Sequence, residues 1–438
     1  MTVPISIRDT SGGVHPQDGI CGYARAVTGS RSPRTHGPHD FTFQGLQDPS
    51  VGRLDLEALR AQDPTDLLKD IDQALVYDIP LNTTFRALKR RDGVLFHGPA
   101  GWGEFAPFWD YDAKAAAPWL AAALEAATGL GPDGTPVTLP PRQRESIDVN
   151  VTIPEVGPDD ARRLILTSRA NVAKVKIGRN YFLRHVPGLR PDPPRDRQEF
   201  IGRGPNIHEL GRDILRLEAV RDALGPRGRI RVDLNGDWNP TTVQRLLPVI
   251  ERAAGGVEYV EQPCATTEDL ATLRQEIVTP IAADESIRLS NDPLAVSRLE
   301  AADIAILKVA PLGGVRRTLE LASRLELPVV VSSALDTSVG LFQGLQLATV
   351  LPELDYACGL GTTVLLKRDV ADPSIIPYKG VLRVSDLHVS EERLAASAAK
   401  TNLCSRWAIR MVHIIRALAE RRAREAADPS KAVAGIPL

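Results

Sequence analysis

Cysteine is scarce in this 438-residue chain and scattered along it. The four, Cys21, Cys264, Cys358 and Cys404, form no CxxC pair. That disfavours a cysteine-built zinc site or a disulfide framework and points to free thiols in an intracellular, cytoplasmic protein. No apolar run reaches the length of a membrane span, so no spanning segment is expected. The opening MTVPISIRDTSGG lacks a basic start followed by an apolar core, and no signal peptide is expected there. Charge of one sign is also missing: 53 basic against 55 acidic residues leave a net charge of -2. Nothing in that balance supports nucleic acid or an anionic membrane as a partner. No GxGxxG follows the first strand of the α/β region, which argues against a dinucleotide-binding open sheet.

What is present reads as four parts. Residues 1–60 are rich in Gly, Pro, Ser, Thr, Arg and His without periodicity, which predicts a flexible extension. His15, His36 and His39 within it are too irregularly spaced to suggest a metal site. Residues 61–145 read as a small α+β domain: short helices between 54 and 73, strands at 74–80 and 94–97, and an Ala-rich helix at 113–127. Between the two strands LNTTFRALKRRDG reads as a turn carrying Phe85 and Arg86, and GPAGWGEFAPFWDYD supplies glycines for close backbone approach and aromatics for a wall.

From Ser146 to about residue 362 apolar strands alternate with helical stretches. Strands are expected at 147–153, 173–177, 229–234, 257–261, 280–283, 304–308, 328–332 and 356–358. Eight strands with helices between most of them point to an α/β fold of the closed TIM-type barrel kind. A long connection at about 180–208 interrupts the rhythm, with Arg184, Arg190, Arg195, Arg197 and Arg203 among prolines. Leaving the carboxyl end of a strand, it is either a tolerated surface insertion or an anion-attracting rim. Residues 363–438 end in an amphipathic helix at 402–427. Its apolar stripe runs from Leu403 to Leu418, and Arg406, Arg410 and Arg416 are expected on a solvated face.

The chemistry sits at strand ends. VEYVEQPCATTEDLATLRQEIVTPIAADESIR reads as strand, helix, strand, and each strand finishes on an acid, Glu261 and Asp284. Asp233 ends the strand before them in RIRVDLNGDW. Three carboxylates brought together in a barrel mouth either titrate or recruit a cation. All-oxygen ligation, without His or Cys, suits Mg²⁺ or Mn²⁺. Any one such acid has a plainer reading as a helix N-cap, but three at successive strand ends do not. Lys176 lies in AKVKIG and Lys308 in IAILKVAPLGG, one on either flank of the acids. Lys174, two residues from Lys176, points to the same side, and a neighbouring cation favours the neutral amine that a general base must be. A structural ion pair between lysine and acid is the alternative. This set can bind a carboxylate substrate through the metal and let Lys176 remove the proton α to it. The metal and Lys308 then stabilise the enediolate.

AKVKIG, RVDLNGDW, VEYVEQP, ADESI and ILKVAPLGG, in that order, resemble the enolase superfamily. With GPAGWGEFAPFWDYD, EQPCAT, VVVSSALDTSVGL and ACGLGT, the chain from about 70 to 370 resembles the actinobacterial type of o-succinylbenzoate synthase, in the muconate-lactonizing-enzyme-like subgroup. The resemblance implies a modified (β/α)7β barrel with an α+β capping domain built from the N-terminal region and the C-terminal segment. It implies Asp233, Glu261 and Asp284 as ligands of Mg²⁺, Lys176 as base and then acid, and Lys308 as the electrostatic partner on the opposite face. The implied substrate is a small dicarboxylate, dehydrated to 2-succinylbenzoate on the way to menaquinone. Arg86 in the capping loop, Asn235, Lys174, Ser332 and Ser333 are supporting or substrate-binding candidates. The sequence departs from the family in the N-terminal extension, in the 180–208 insertion, and in Ala87, where a glycine is usual. An N-succinyl amino acid racemase and a catalytically silent binding barrel are the competing readings. Nothing sets the oligomeric state, and a monomer is the working expectation.

Overall fold

Short apolar runs, buried on both faces, pair in parallel and form the centre of the fold. In this computed structural model the described residues are 52–178 and 207–438. Most of the expected N-terminal extension and nearly all of the Arg/Pro-rich insertion, with its five arginines, lie outside them. Residues 52–60, expected to belong to the extension, are folded. Leu56–Arg60 is a short helix capped by Asp55, and Leu54 and Leu59 are buried.

The first sheet is antiparallel, β1 (Gln73–Phe85), β2 (Leu88–Gly98) and β3 (Gly101–Phe105). The stretch 81–93 is therefore two strands and not a long turn. The reversal is confined to Arg86 and Ala87, both with positive φ (50° and 62°), while Phe85 pairs with Leu88. Two left-handed residues in a row give the primed hairpin turn whose twist matches that of the strands. The helix Ala113–Thr128, capped by Asp112, and the C-terminal helix Thr401–Ala427 pack with this sheet. Trp407, Met411, Ile414, Ile415 and Leu418 of the last helix are completely buried, each worth about 1.5–3 kcal/mol of transfer free energy. The same core takes in Ala310, Leu335 and Val339 from the segments that follow β10 (Ile304–Leu307) and β11 (Val329–Val331).

β4 (Ser146–Asp148) pairs antiparallel with β12 (Val381–Arg383). The strand expected at 147–153 thus divides, and only β5 (Val151–Ile153) enters the barrel. There follow β6 (Val172–Lys176), β7 (Arg229–Asp233), β8 (Val260–Glu261), β9 (Ile281–Ala283), β10 (Ile304–Leu307) and β11 (Val329–Val331), all parallel and neighbours in chain order. The eighth stave is minimal. Cys358 bridges Val149 and Gly359 bridges Ser332, so residues 358 and 359 join the two edges of the sheet without forming a full strand. That closure removes the free edges of an open sheet. No helix among the described residues is long and apolar enough to cross a membrane.

Candidate active site

Strand alternation decides which side chains reach the barrel mouth. Tyr259, Ala282, Ile306 and Val330 pack together inside the barrel. Two residues further on, hence on the same side, stand Glu261, Asp284, Lys308 and Ser332. β7 adds Asp233 above Arg231, and β6 adds Lys176 above Lys174. Lys176, Asp233 and Glu261 are direct register partners across three adjacent strands. Lys176 and Lys308 are four staves apart in a ring of eight, so they flank the carboxylates from opposite sides of the mouth.

All three acids are buried, at 1%, 0% and 0% exposure for Asp233, Glu261 and Asp284. Lys174 donates to both oxygens of Glu261, at 3.0 and 3.1 Å, and lies 3.6 Å from Oδ2 of Asp233. Lys176 donates to Asp233 and, at 3.1 Å, to Oδ1 of Asn235. Lys308 donates to Asp284 at 2.5 Å, and Arg288 reaches the other oxygen of Asp284 at 2.9 Å. Asp284 makes no side-chain capping bond to the short helix Glu285–Arg288 that it precedes, so capping does not account for it. Gln262 locks two motifs together: Oε1 accepts from the N–H groups of Asp284 (2.9 Å) and Ser286 (3.1 Å).

Burial and then the neighbouring Asp233 push the Glu261 carboxyl up to about 7, against the pull of Lys174. Burial also works on Asp233, but Lys176 and Lys174 outweigh it and hold that carboxyl far below the usual range. Arg288 and Lys308 do the same for Asp284. Burial disfavours the Lys174 ammonium, yet Glu261 and Asp233 keep it firmly charged. A structural role alone explains this poorly, because buried charges replaced by apolar groups often leave a protein as stable or more so.

The donor set fits a hard divalent cation: three carboxylates, all oxygen. Asp233 and Glu261 already converge on one point, the Nζ of Lys174. Among the described residues no three acid, histidine or cysteine side chains stand ready-made around a common centre. Ammonium groups lie on the carboxylate oxygens instead.

Above the acids is a cleft of about 580 Å³, mouth included. Lys174, Lys176, Lys308, Arg86 and Arg288 bring five positive charges to it, and Phe85, Phe108, Tyr111 and Trp119 form an apolar wall. Ser332 and Ser333 line it too, with Ser333 Oγ 2.7 Å from Oγ1 of Thr362. Asn235 lines the cleft between Lys176 and Glu285, its Nδ2 3.2 Å from Glu285 Oε1. The structure thus gathers every sequence-derived candidate around one cleft. It adds Arg288, Glu285 and Tyr111, which the sequence reading missed. The i, i+4 spacing of Asp284 and Arg288 was the available signal.

Comparison with known proteins gives the family. Residues 158–388 match the family described as Enolase C-terminal domain-like, and residues 76–127 match Enolase N-terminal domain-like. The chain is 47% identical over 319 residues to the o-succinylbenzoate synthase of Thermobifida fusca, covering 73% of this chain and 89% of that one. It is 42% identical over 334 residues to the o-succinylbenzoate synthase of Mycolicibacterium smegmatis, covering 76% and 92%. In fold it is similar to a muconate lactonizing enzyme from Pseudomonas fluorescens, with TM-score 0.59, 21% identity, and coverage of 75% and 99%. The chain belongs to the o-succinylbenzoate synthase family of the enolase superfamily.

Proposed function

We propose that the protein is a carbon–oxygen lyase that dehydrates 2-succinyl-6-hydroxy-2,4-cyclohexadiene-1-carboxylate to 2-succinylbenzoate, a step of menaquinone biosynthesis. The observation that carries this is the placement of Lys176 and Lys308 on opposite staves, with Asp233, Glu261 and Asp284 between them, in a chain 47% identical to such a synthase.

Asp233, Glu261 and Asp284 would hold Mg²⁺, or Mn²⁺ in its place. When bound, the cation supplies positive charge for the substrate carboxylate and for the enediolate that develops from it. With Lys176 neutral, Lys174, Lys308, Arg86 and Arg288 are the four cations lining the cleft that suit a dianionic substrate, and the aromatic wall suits its ring. Lys176, as the neutral amine, takes the proton α to the ring carboxylate, and the electron pair moves into the enediolate. The C–OH bond then breaks as the electrons return to the ring. The Lys176 ammonium gives its proton to the departing hydroxide on the same face, releasing water and leaving the amine free. Lys308 stays charged on the opposite face and stabilises the enediolate, while Lys174 neutralises Glu261.

The test is an assay of the purified protein with the cyclohexadiene substrate and a panel of N-succinyl amino acids, with and without Mg²⁺. Metal-dependent formation of 2-succinylbenzoate, faster than any racemisation, is expected. Racemisation without dehydration would replace this reading with the racemase. No turnover of either class would point to a binding barrel.

A further inference from the structure

The substrate-facing wall is an irregular segment, and something must satisfy its backbone. Residues 106–112 follow β3 without joining a helix or strand. Phe108 and Tyr111 of this segment face the cleft and meet Trp119 edge-on, with ring centroids 6.3 and 5.8 Å away and planes at 80° and 78°. Carbonyl groups in such a segment have no ladder partners and need donors from elsewhere.

Arg91 of β2 donates to the carbonyl of Ala106, and the donor to the rest of the segment is on the last helix, outside both segments that match the enolase domains. Arg410 donates Nη1 to the carbonyl of Pro107 at 3.0 Å and Nη2 to those of Phe108 (2.7 Å) and Tyr111 (3.1 Å). Its guanidinium lies over the rings of Trp109 and Trp407, 4.7 and 5.0 Å from their centroids. Both indoles donate to one oxygen of Asp92, at 2.9 and 2.8 Å, which fixes the stack that holds the arginine. The solvated position expected for Arg410 is therefore wrong. A planar fork of donors suits three carbonyls in a way that a single ammonium does not.

We infer that Arg410 is a positioning residue: it sets the cleft wall by holding the backbone of Phe108 and Tyr111 from the side opposite the substrate. It touches no reacting atom. The inference rests on the synthase reading for its kinetic consequence, but the loop clamp stands independently of that reading.

Two measurements test it. Hydrogen exchange of the amides in residues 106–112, read by mass spectrometry, should speed up about tenfold or more in Arg410→Ala. In the dehydration assay the same variant should raise KM by about tenfold and lower kcat less, with the Mg²⁺ requirement unchanged. Millimolar guanidinium should restore part of the loss, and Arg410→Lys should fall between the two. Ile409→Ala, an exposed neighbour on the same helix (41%), should change nothing. Unaltered exchange in 106–112, or a wild-type KM in a folded Arg410→Ala protein, would overturn the inference. A wild-type enzyme inert toward the cyclohexadiene would instead defeat the proposed function, and exchange would still decide the role of Arg410.

Discussion

Lys174 spans two strands to meet Glu261: from β6 it crosses the register of β7 and donates to both carboxylate oxygens, at 3.0 and 3.1 Å. Lys174→Met leaves Glu261 buried beside Asp233 and Asp284 with its main counter-charge gone. Stripping one partner from a buried pair typically destabilises by about 3–5 kcal/mol. Denaturant unfolding of the metal-free variant should show a loss of that order, reduced when Mg²⁺ is added. A loss below about 1 kcal/mol would mean that the pair is not what holds the Glu261 charge.

Glu104, at the end of β3, joins the first sheet to the barrel loop after β11. It accepts from Tyr77 Oη (2.5 Å), from the Thr337 hydroxyl (2.6 Å) and from the Gly340 N–H (2.8 Å). Burial and then the nearby Asp336 push its carboxyl from 4.5 up to about 7. Between those two values the folded protein keeps a proton that the unfolded chain has released. Its contribution to stability is therefore complete below 4.5 and is lost as pH rises through about 7. Thermal melts across that window should fall with pH, and Glu104→Gln should flatten the slope. An unchanged slope would assign the trend to other groups.

Lys176→Ala should lower dehydration by at least about 10²–10⁴-fold, as expected for losing a general base. Lys308→Arg keeps a cation on the opposite face but not a proton-transferring amine. It should retain measurable dehydration while abolishing racemisation of any N-succinyl amino acid. Loss of dehydration as complete as in Lys176→Ala would contradict the assignment of Lys308 to electrostatics alone, and retained racemisation would rule out a two-base scheme.

Arg288 is the link between Asp284 and the cleft wall. It pairs with Asp284 at 2.9 Å and Glu285 at 2.6 Å, and it donates to the hydroxyl of Tyr111. Arg288→Lys cannot serve three partners with one ammonium. About a 10–100-fold loss in kcat/KM and in Mg²⁺ affinity is expected, the range found when the supports of metal ligands are removed. Tyr111→Phe, which spares Asp284, should affect KM and leave the metal response intact.

Much of the site was legible in the chain because a parallel barrel converts sequence order directly into spatial order. Asp233, Glu261 and Asp284 stand at the ends of successive strands, and successive strands are neighbours, so their side-by-side order at the mouth followed from counting. The same rule put Lys176 and Lys308 on opposite flanks. The hairpin at 81–93 was not legible, because its polar residues read as turn while β1 and β2 carry it as extended backbone around a two-residue reversal. The first barrel strand was misread because one apolar run served two sheets. Arg410 was misplaced for a related reason: helical periodicity shows which residues leave the apolar stripe, but not that a loop returns three carbonyls to one of them. Nor could periodicity reveal that Cys358 and Gly359 close the ring with isolated bridges and no full eighth strand.

The central claim is that Asp233, Glu261 and Asp284 serve one divalent ion during dehydration. The most direct measurement is the rate of 2-succinylbenzoate formation against Mg²⁺ concentration, after chelation, for the wild type and for Asp233→Asn, Glu261→Gln and Asp284→Asn. The wild type should be silent in chelator and recover saturably with Mg²⁺, and each variant should lose at least about a hundredfold in metal-supported rate. Full wild-type turnover in chelator, or variants with an unaltered Mg²⁺ response, would contradict the account.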